Sequence, residues 1–267
     1  MKKTLVPKLF AFILCLLCWA IWPRDWALPA NFVILATLMS TLTFPVFRPR
    51  SNFYIPTLSS APNQPGLVAF TFDDGPDPRY TPQILDFLDR EGISATFFVV
   101  GARVAEHPEL VRDMIARGHI VGNHSYRHGF DFHFSLSSAL HRDLDAFDDV
   151  MDEVIGKKCR LFRSPQGFRT PLLADVLRAR KLVCVGWSAR GFDTVRSDAN
   201  AIVSSLIKKV ASGGIMLLHD GGGLGGSEAR EPTLKALPKL VASLRDRGLA
   251  FERLDKLLGT EAYFVRE

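Results

Sequence analysis

The chain has 267 residues, 47% of them apolar and 23% charged, which suits one sizeable core and excludes a disordered or fibrous protein. Its formal charge of +5 is unevenly placed: six of the 33 basic residues but one of the 28 acidic ones fall within residues 1–50, so 27 of each remain for 51–267. A formally neutral folded part lacks the electrostatic footprint of a nucleic-acid binder, and no nucleic-acid partner is expected.

Lys2 and Lys3 precede the uncharged run Leu9–Trp22, which extends to about 5–22 when Lys8 snorkels to the interface. After Pro23-Arg24-Asp25 a second run, 26–47, is long enough to span a bilayer. No convincing small-x-small cleavage site follows the first run, so residues 1–50 are expected to stay attached as a hydrophobic helical hairpin in the bacterial inner membrane. Lys2, Lys3 and Lys8 before it and Arg48 and Arg50 after it put both ends in the cytoplasm by the positive-inside rule; with only the second segment spanning, the rest of the chain faces the other side. Cys15 and Cys18 have a C-x-x-C spacing but lie in an apolar segment that cannot stabilise a thiolate, so they are read as packing residues. Cys159 and Cys184 leave a pairing open.

Residues 51–65, with Pro56, Pro62 and Pro65, read as a linker. From 66 to 258 short apolar runs at 67–72, 95–100, 119–122, 160–163, 182–187, 214–218 and 249–253 alternate with amphipathic stretches, and 259–267 is left as a tail. Gly92, Gly118, Gly156, Gly213 and Gly248 close five of those stretches where a helix C-terminal glycine belongs. Such alternation is the signature of a parallel α/β architecture, which carries function at the carboxyl ends of its strands.

At those ends stand Asp73-Asp74, His124 and His128, Arg163, Asp193, and His219-Asp220. The first strand stops at two carboxylates and Gly75-Pro76. Because successive strand residues face opposite ways, Asp73 and Asp74 are expected to have separate jobs unless the strand breaks there. An i, i+4 spacing is expected to bring His124 and His128 to one side of a helical turn, where a carboxylate completes a three-ligand site with open positions for water and substrate. Gly221–Gly226 reads as a mobile rim loop, and the acids from Asp143 to Glu153 as a solvated helix face. His107 is read as a helix cap, and His133 as a surface residue bordering the cleft at most.

Four motifs in order, T-F-D-D-G at 71–75, H-S-Y-R-H at 124–128, R-S-P-Q-G at 163–167 and L-L-H-D at 217–220, resemble the polysaccharide deacetylases of the NodB-homology type, carbohydrate esterase family four. The resemblance covers about 66–256 and implies a distorted (β/α)7 barrel behind the hydrophobic hairpin. It makes Asp74, His124 and His128 ligands of a divalent metal, most simply Zn2+, with Co2+, Mn2+ or Fe2+ also suited to the donors. It makes Asp73 the general base paired with Arg163, and His219 the general acid with Asp193 as its partner. It also assigns Gln166 and Gly167 to a backbone donor for the oxyanion, Leu218 to the acyl-methyl pocket and Arg190 to the substrate wall, where this chain departs from the family's usual acid. The implied reaction is metal-assisted hydrolysis of an N-acetyl or related acyl group on an amino sugar of a cell-envelope glycan, on the extracytoplasmic side by family expectation. The hairpin motivates a second substrate, a lipid-linked sugar of the undecaprenyl type at the inner face of the membrane. A carbohydrate-binding pseudoenzyme and a phosphotransferase using Asp73 are disfavoured by the complete set of catalytic groups and by the adjacent D-D spacing.

Overall fold

The structure, a computed structural model, describes residues 2–21, 23–48, 50–222 and 229–265. The expected rim loop falls largely on 223–228, outside the described residues.

Two helices, α1 (Lys2–Ile21) and α2 (Arg24–Thr43), pack against each other at the N-terminus. Among the described residues one helical stretch, Asp25–Phe47, is long and apolar enough to cross a membrane; the apolar part of α1, Phe10–Ile21, is shorter. The folded unit then runs through β1 (Thr57–Leu58), β2 (Leu67–Asp73), α3 (Thr81–Glu91), β3 (Thr96–Val99), α4 (Gly101–Glu106), α5 (Pro108–Ala116), β4 (Ile120–Asn123) and α6 (Ser137–Ile155). It continues through β5 (Leu161–Phe162), α7 (Pro171–Ala179), β6 (Val183–Val185), β7 (Ala189–Arg190), α8 (Ala199–Ile207), β8 (Gly214–His219), α9 (Glu231–Asp246), β9 (Ala250–Phe251) and α10 (Leu254–Leu258).

The expected apolar runs supply β2–β6, β8 and β9, while β1 and β7 are two-residue strands too short to leave a periodic signal. All strand pairs are parallel, in the order β1-β6-β5-β4-β3-β2-β8-β7, with β9 joining β2. An antiparallel bridge from Ser60 to Gly214 ties the segment after β1 to the start of β8 and draws the sheet edges together, which curls the sheet into the distorted barrel that the resemblance implied.

Strand alternation sorts the side chains into two cores. Val68, Phe70 and Phe72 of β2 face the helices and pack with Ile84 and Leu88 of α3 and Leu240 of α9. Ala69, Phe98, Ile120, Leu161 and Ile215 face inward, where Leu254 and Leu257 of α10 also pack. Phe72 and Phe97 stack with centroids 5.1 Å apart.

Two terminal segments are more ordered than their sequence suggests. In the expected linker, Tyr54 and Ile55 are buried with Leu173 and Leu177 of α7, and Thr57–Leu58 pair with Cys184 and Val185, so three prolines did not prevent docking along a sheet edge. In the tail, Tyr263 bridges to Cys159 and its hydroxyl accepts the Val121 N–H at 2.9 Å. Cys159 and Cys184 are both buried and free.

Gly92 and Gly213 both have positive φ, 64° and 74°, but a Cβ on Gly92 meets nothing within 4 Å whereas one on Gly213 falls 1.9 Å from the Ala61 carbonyl oxygen. Gly92→Ala is therefore expected to cost about 1 kcal/mol, the left-handed penalty alone, and Gly213→Ala distinctly more, because the β1 segment must move away from β8. Chemical denaturation of the two variants checks the order; equal losses contradict this account of closure.

Candidate active site

β2 carries Asp73 to its carboxyl end, and the backbone then turns left-handed at Asp74 itself, with φ 73°. The break comes one residue earlier than Gly75 suggests, so the two carboxylates do not diverge. Both line one cavity of about 380 Å³, with His124, His128, Trp187 and His219. Gly75 allows a close approach behind them: a Cβ there lies 2.0 Å from the Asp220 carboxylate. Burial and the nearby Asp74 charge raise Asp220 to about 7, and its carboxylate accepts the Thr81 hydroxyl at 2.7 Å.

His124 and His128 meet by a route other than a helical turn. Residues 124–129 form an irregular loop in which Ser125 and His128 have φ of 67° and 56°. Asn123 Oδ1 accepts the Ser125 N–H at 2.7 Å, Ser125 Oγ accepts the His128 N–H at 3.0 Å, and the Asp143 carboxylate accepts the N–H groups of Tyr126 and Arg127 at 2.8 and 3.2 Å. Asp143, expected on a solvated helix face, thus secures the loop. Of the other acids in that stretch, Asp145 and Asp148 pair with Arg180.

The outcome is a cluster of Asp74, His124 and His128 whose candidate ligand atoms all lie within 4.8 Å of one another. His128 Nε2 is 3.1 Å and His124 Nε2 3.4 Å from Asp74 Oδ1. Two ligands at about 2.1 Å from one ion and at tetrahedral angles stand about 3.4 Å apart, so the spacing fits a divalent cation. His124 Nδ1 lies 2.8 Å from the Arg163 carbonyl, which can only accept, so a proton is on Nδ1 and Nε2 is the nitrogen that points at the cluster. Burial and the neighbouring His124 lower His128 to about 4, leaving it neutral and able to ligate at neutral pH. Burial opposes the Asp74 carboxylate, but the His124 hydrogen bond and the charges of His219, His128 and His124 outweigh it and hold its pKa low. For His124 burial is again the largest influence, yet Asp73 and Asp74 raise it: the two carboxylates favour a positive charge at this spot.

Arg163 is fully buried. Its Nη1 donates to Asp73 Oδ1 and to Thr71 Oγ1, each at 2.7 Å, its Nη2 donates to the Gly186 carbonyl at 2.9 Å, and its guanidinium lies 4.1 Å from the Phe98 ring centroid. Asp73 is thereby held by one oxygen, and its other, Oδ2, lies 3.8 Å from His124 Nε2. Across the cavity His219 Nδ1 is 2.9 Å from Asp193 Oδ1, while Asp193 Oδ2 accepts the His219 N–H and the Thr233 hydroxyl at 2.8 and 2.9 Å. Burial alone would lower His219, but Asp193, Asp74 and Asp73 lift it to about 9. The cavity therefore combines three candidate metal donors, an oriented carboxylate and an imidazolium, the groups of a hydrolytic centre.

The polysaccharide deacetylase family model matches residues 60–185. A peptidoglycan-N-acetylglucosamine deacetylase of Bacillus cereus is 34% identical over 204 residues, covering 74% of this chain and 90% of its own length. A chitooligosaccharide deacetylase of Sinorhizobium fredii is 34% identical over 211 residues, covering 75% and 96%. The chain belongs to the polysaccharide deacetylase family. Its enzyme class is amino-sugar N-deacetylase. The crystal structure of a peptidoglycan N-acetylglucosamine deacetylase superposes with a TM-score of 0.72 at 26% identity, covering 77% of this chain and 94% of the other. A Bacillus anthracis protein described as a CE4 family pseudoenzyme shares the fold at a TM-score of 0.66 and 23% identity, so the fold by itself does not carry activity.

Within this polysaccharide deacetylase the remaining expected site residues divide. Gln166, Gly167 and Arg190 line the cavity, but Leu218 does not. Leu218 is fully buried in the helix-facing core beside Ile202 and Leu206 of α8, and Leu217 faces the cavity instead. The reason is the two-residue period: His219 points inward on β8, so Leu217 does too and Leu218 points out. His133 is buried rather than at the surface, with Nε2 2.7 Å from Gln166 Oε1. His107 occupies the start of α5 without a side-chain capping bond. Two residues escaped sequence reading. Trp187 forms a cavity wall and packs so closely on Gly167 that a Cβ there lies 2.4 Å from its ring, and Arg103 Nη1 donates to the Asp74 carbonyl at 2.8 Å. Neither lies in a motif, although Trp187 ends the fifth apolar run where site residues gather.

The leucine pair gives a direct test. Leu218→Ala is expected to cost about 2–5 kcal/mol in stability as a core truncation, whereas Leu217→Ala is expected to alter kcat/KM more than any stability-matched core truncation does. Parallel denaturation and deacetylation assays decide; a kinetic effect confined to Leu218→Ala restores the original assignment.

Proposed function

We propose that this protein is a metal-dependent, membrane-anchored hydrolase that removes the acetyl group from an N-acetylated amino sugar of a cell-envelope glycan. The observation that carries the reading is the convergence, in one cavity, of the Asp74-His124-His128 donors with the Arg163-held Asp73 and the Asp193-held His219. The curated relatives, named as deacetylases of peptidoglycan N-acetylglucosamine and of chitooligosaccharides, support the substrate class. The apolar Asp25–Phe47 helix supports attachment to a membrane. A second substrate class, an amino sugar carried on a lipid, is favoured by a basic cavity that adjoins the site.

Asp74, His124 and His128 would hold the cation, with zinc the simplest choice for two imidazoles and a carboxylate. When bound, a divalent cation supplies Lewis acidity to the acyl carbonyl and to the attacking water. Asp73, oriented through one oxygen by Arg163, takes the water proton on the other. Backbone at Gln166 and Gly167 faces the developing oxyanion. His219, charged because Asp193 holds Nδ1–H, donates its Nε2 proton to the departing amine as the C–N bond breaks, giving acetate and a free amino sugar. Trp187 and Leu217 wall the acyl group, with Arg190 nearer the sugar.

Chelation of the full-length protein is expected to abolish N-acetylglucosamine deacetylation and Zn2+ to restore it, while Asp74→Ala and His124→Ala remain inactive at any metal concentration. Asp73→Asn and His219→Ala are expected to lose about 10²–10⁴-fold in kcat. Undiminished turnover by metal-free protein overturns the proposal. The pH profile tests the acid separately. A raised His219 pKa keeps the donor protonated up to about 9, so activity falls as pH rises through that value. Asp193→Asn removes the main charge that raises it, leaving Asp74 and Asp73, and is expected to move the alkaline limb down by about 1–3 pH units in the metal-loaded enzyme. An unmoved limb rules out His219 as the titrating acid.

A further inference from the structure

We infer that the cavity beside the candidate active site is a phosphate-binding subsite, so that the amino sugar this enzyme deacetylates is one joined to a lipid through a phosphate or diphosphate. The inference rests on the deacetylase reading and narrows its substrate.

The cavity measures about 590 Å³ and is lined by Arg48, Arg50, Arg190 and Lys209 together with Trp187 and Ser188, with no carboxylate among them. Its cations are held by neutral groups. Arg50 donates to the Ser188 carbonyl, Arg48 lies 4.5 Å from the Phe44 ring centroid, and Arg190 and Lys209 lie 4.3 and 5.5 Å from that of Phe192. None of the four forms an ion pair among the described residues, and Arg190 Nε is buried without a hydrogen-bond partner. Four like charges around one cavity repel one another, and a multiply charged oxyanion relieves that repulsion while accepting forked guanidinium hydrogen bonds. Residues 51–267 are formally neutral with Arg190 and Lys209 counted, and Arg48 and Arg50 bring two further cations to this one cavity, so the cluster is a local feature.

Two placements connect this subsite to a lipid-borne substrate. Trp187 and Arg190 line both this cavity and the catalytic one, so an anion held here adjoins a sugar held there. Arg48 and Arg50 directly follow the membrane-length helix Asp25–Phe47, which sets the subsite near the bilayer surface. An aromatic path runs the same way: Phe47 contacts Phe168 of the catalytic cavity with centroids 4.9 Å apart, Phe168 contacts His133 at 5.1 Å, and His133 lies beside Phe130 at 6.3 Å. Phe47 is 55% exposed, Phe130 56% and Phe134 77%, an apolar surface suited to the membrane interface around the cleft mouth. A soluble glycan uses neither feature. The phosphate serves as an anchor and no bond to phosphorus changes.

The test uses full-length protein in phosphatidylcholine nanodiscs with two substrates of the same sugar, polyprenyl-diphosphate N-acetylglucosamine and a phosphate-free chitooligosaccharide. Wild type is expected to favour the first in kcat/KM, and Arg50→Gln/Lys209→Gln to reduce that preference at least about tenfold. A preference unchanged by the double variant, or none in wild type, overturns the subsite. Direct titration with the lipid diphosphate sugar and with inorganic pyrophosphate separates this result from the chemistry: with neither substrate turned over, the deacetylase reading fails, and diphosphate binding weakened at least tenfold by the variant still supports the subsite, whereas equal or absent binding removes it. Nanodiscs containing phosphatidylglycerol distinguish the source of phosphate. Loss of the substrate preference as anionic lipid is added, with the variant insensitive to it, assigns the cavity to phospholipid headgroups and overturns the substrate assignment; a preference that persists supports it.

Discussion

The site depends on one buried contact, the Arg163 guanidinium against the Asp73 carboxylate. A fully buried arginine is tolerable only when paired, because the desolvation of its charge costs several kcal/mol. Here the pairing draws on three parts of the barrel at once: Asp73 and Thr71 from β2, the Gly186 carbonyl after β6, and the Phe98 face from β3. The same residue also presents its backbone carbonyl to His124 Nδ1, so one position in β5's wake fixes both the orientation of the carboxylate and the tautomer of an imidazole. Breaking such a pair leaves an uncompensated charge in the barrel interior, which links the integrity of the fold to that of the site.

Much of this was legible in the sequence because the physics is local. Apolar runs marked seven strands, and four of the five expected helix-terminating glycines, Gly92, Gly118, Gly156 and Gly248, follow a helix end with positive φ; Gly213 shares the positive φ but lies in the turn before β8, because α8 already ends at Ile207. What was not legible depended on chain reversals and on short elements. The positive φ of Asp74, Ser125 and His128 is only weakly signalled by residue type, Asp and His adopting it more often than most and Ser rarely, so the sequence spacing suggested a helical turn where a loop pinned by Asn123 and Asp143 does the work. The Leu217 and Leu218 assignment was decidable without coordinates, since an inward His219 fixes its neighbours by parity. The role of Trp187 was not, because it follows from contact with Gly167 across 20 residues of chain.

The edge of the sheet teaches a similar lesson. A proline-rich stretch has few N–H donors to offer, yet residues 57, 58 and 60 find partners on β6 and β8, and Gly213 lets the backbones approach closely enough for Ala61 N–H to reach the Gly213 carbonyl at 2.8 Å. Composition measures how strongly a segment can order itself; it does not measure what a waiting sheet edge can order for it. The consequence reaches the site, because the segment that borders this edge continues from Arg48 and Arg50.

The two acid-histidine arrangements in the cavity make opposite demands on one element of chemistry. To serve as metal donors, as proposed, the imidazoles at Asp74 must offer lone pairs, and burial together with the adjacent His124 lowers His128 to about 4. At Asp193 the imidazole must carry a proton, and the carboxylate that accepts both the His219 backbone N–H and its ring Nδ1–H ensures that it does. Similar burial therefore yields opposite shifts because the balance differs: at His128 burial and the adjacent His124 outweigh Asp74, whereas at His219 the carboxylate of Asp193, locked by Thr233, outweighs burial. In the proposed reaction a single cavity then separates water activation from leaving-group protonation, with β2 and the His124–His128 loop on one wall and β8 on the other. Trp187 and Arg190 also line the basic cavity, so under the proposed subsite the same division extends outward, with polar recognition of the substrate kept apart from the groups that exchange protons.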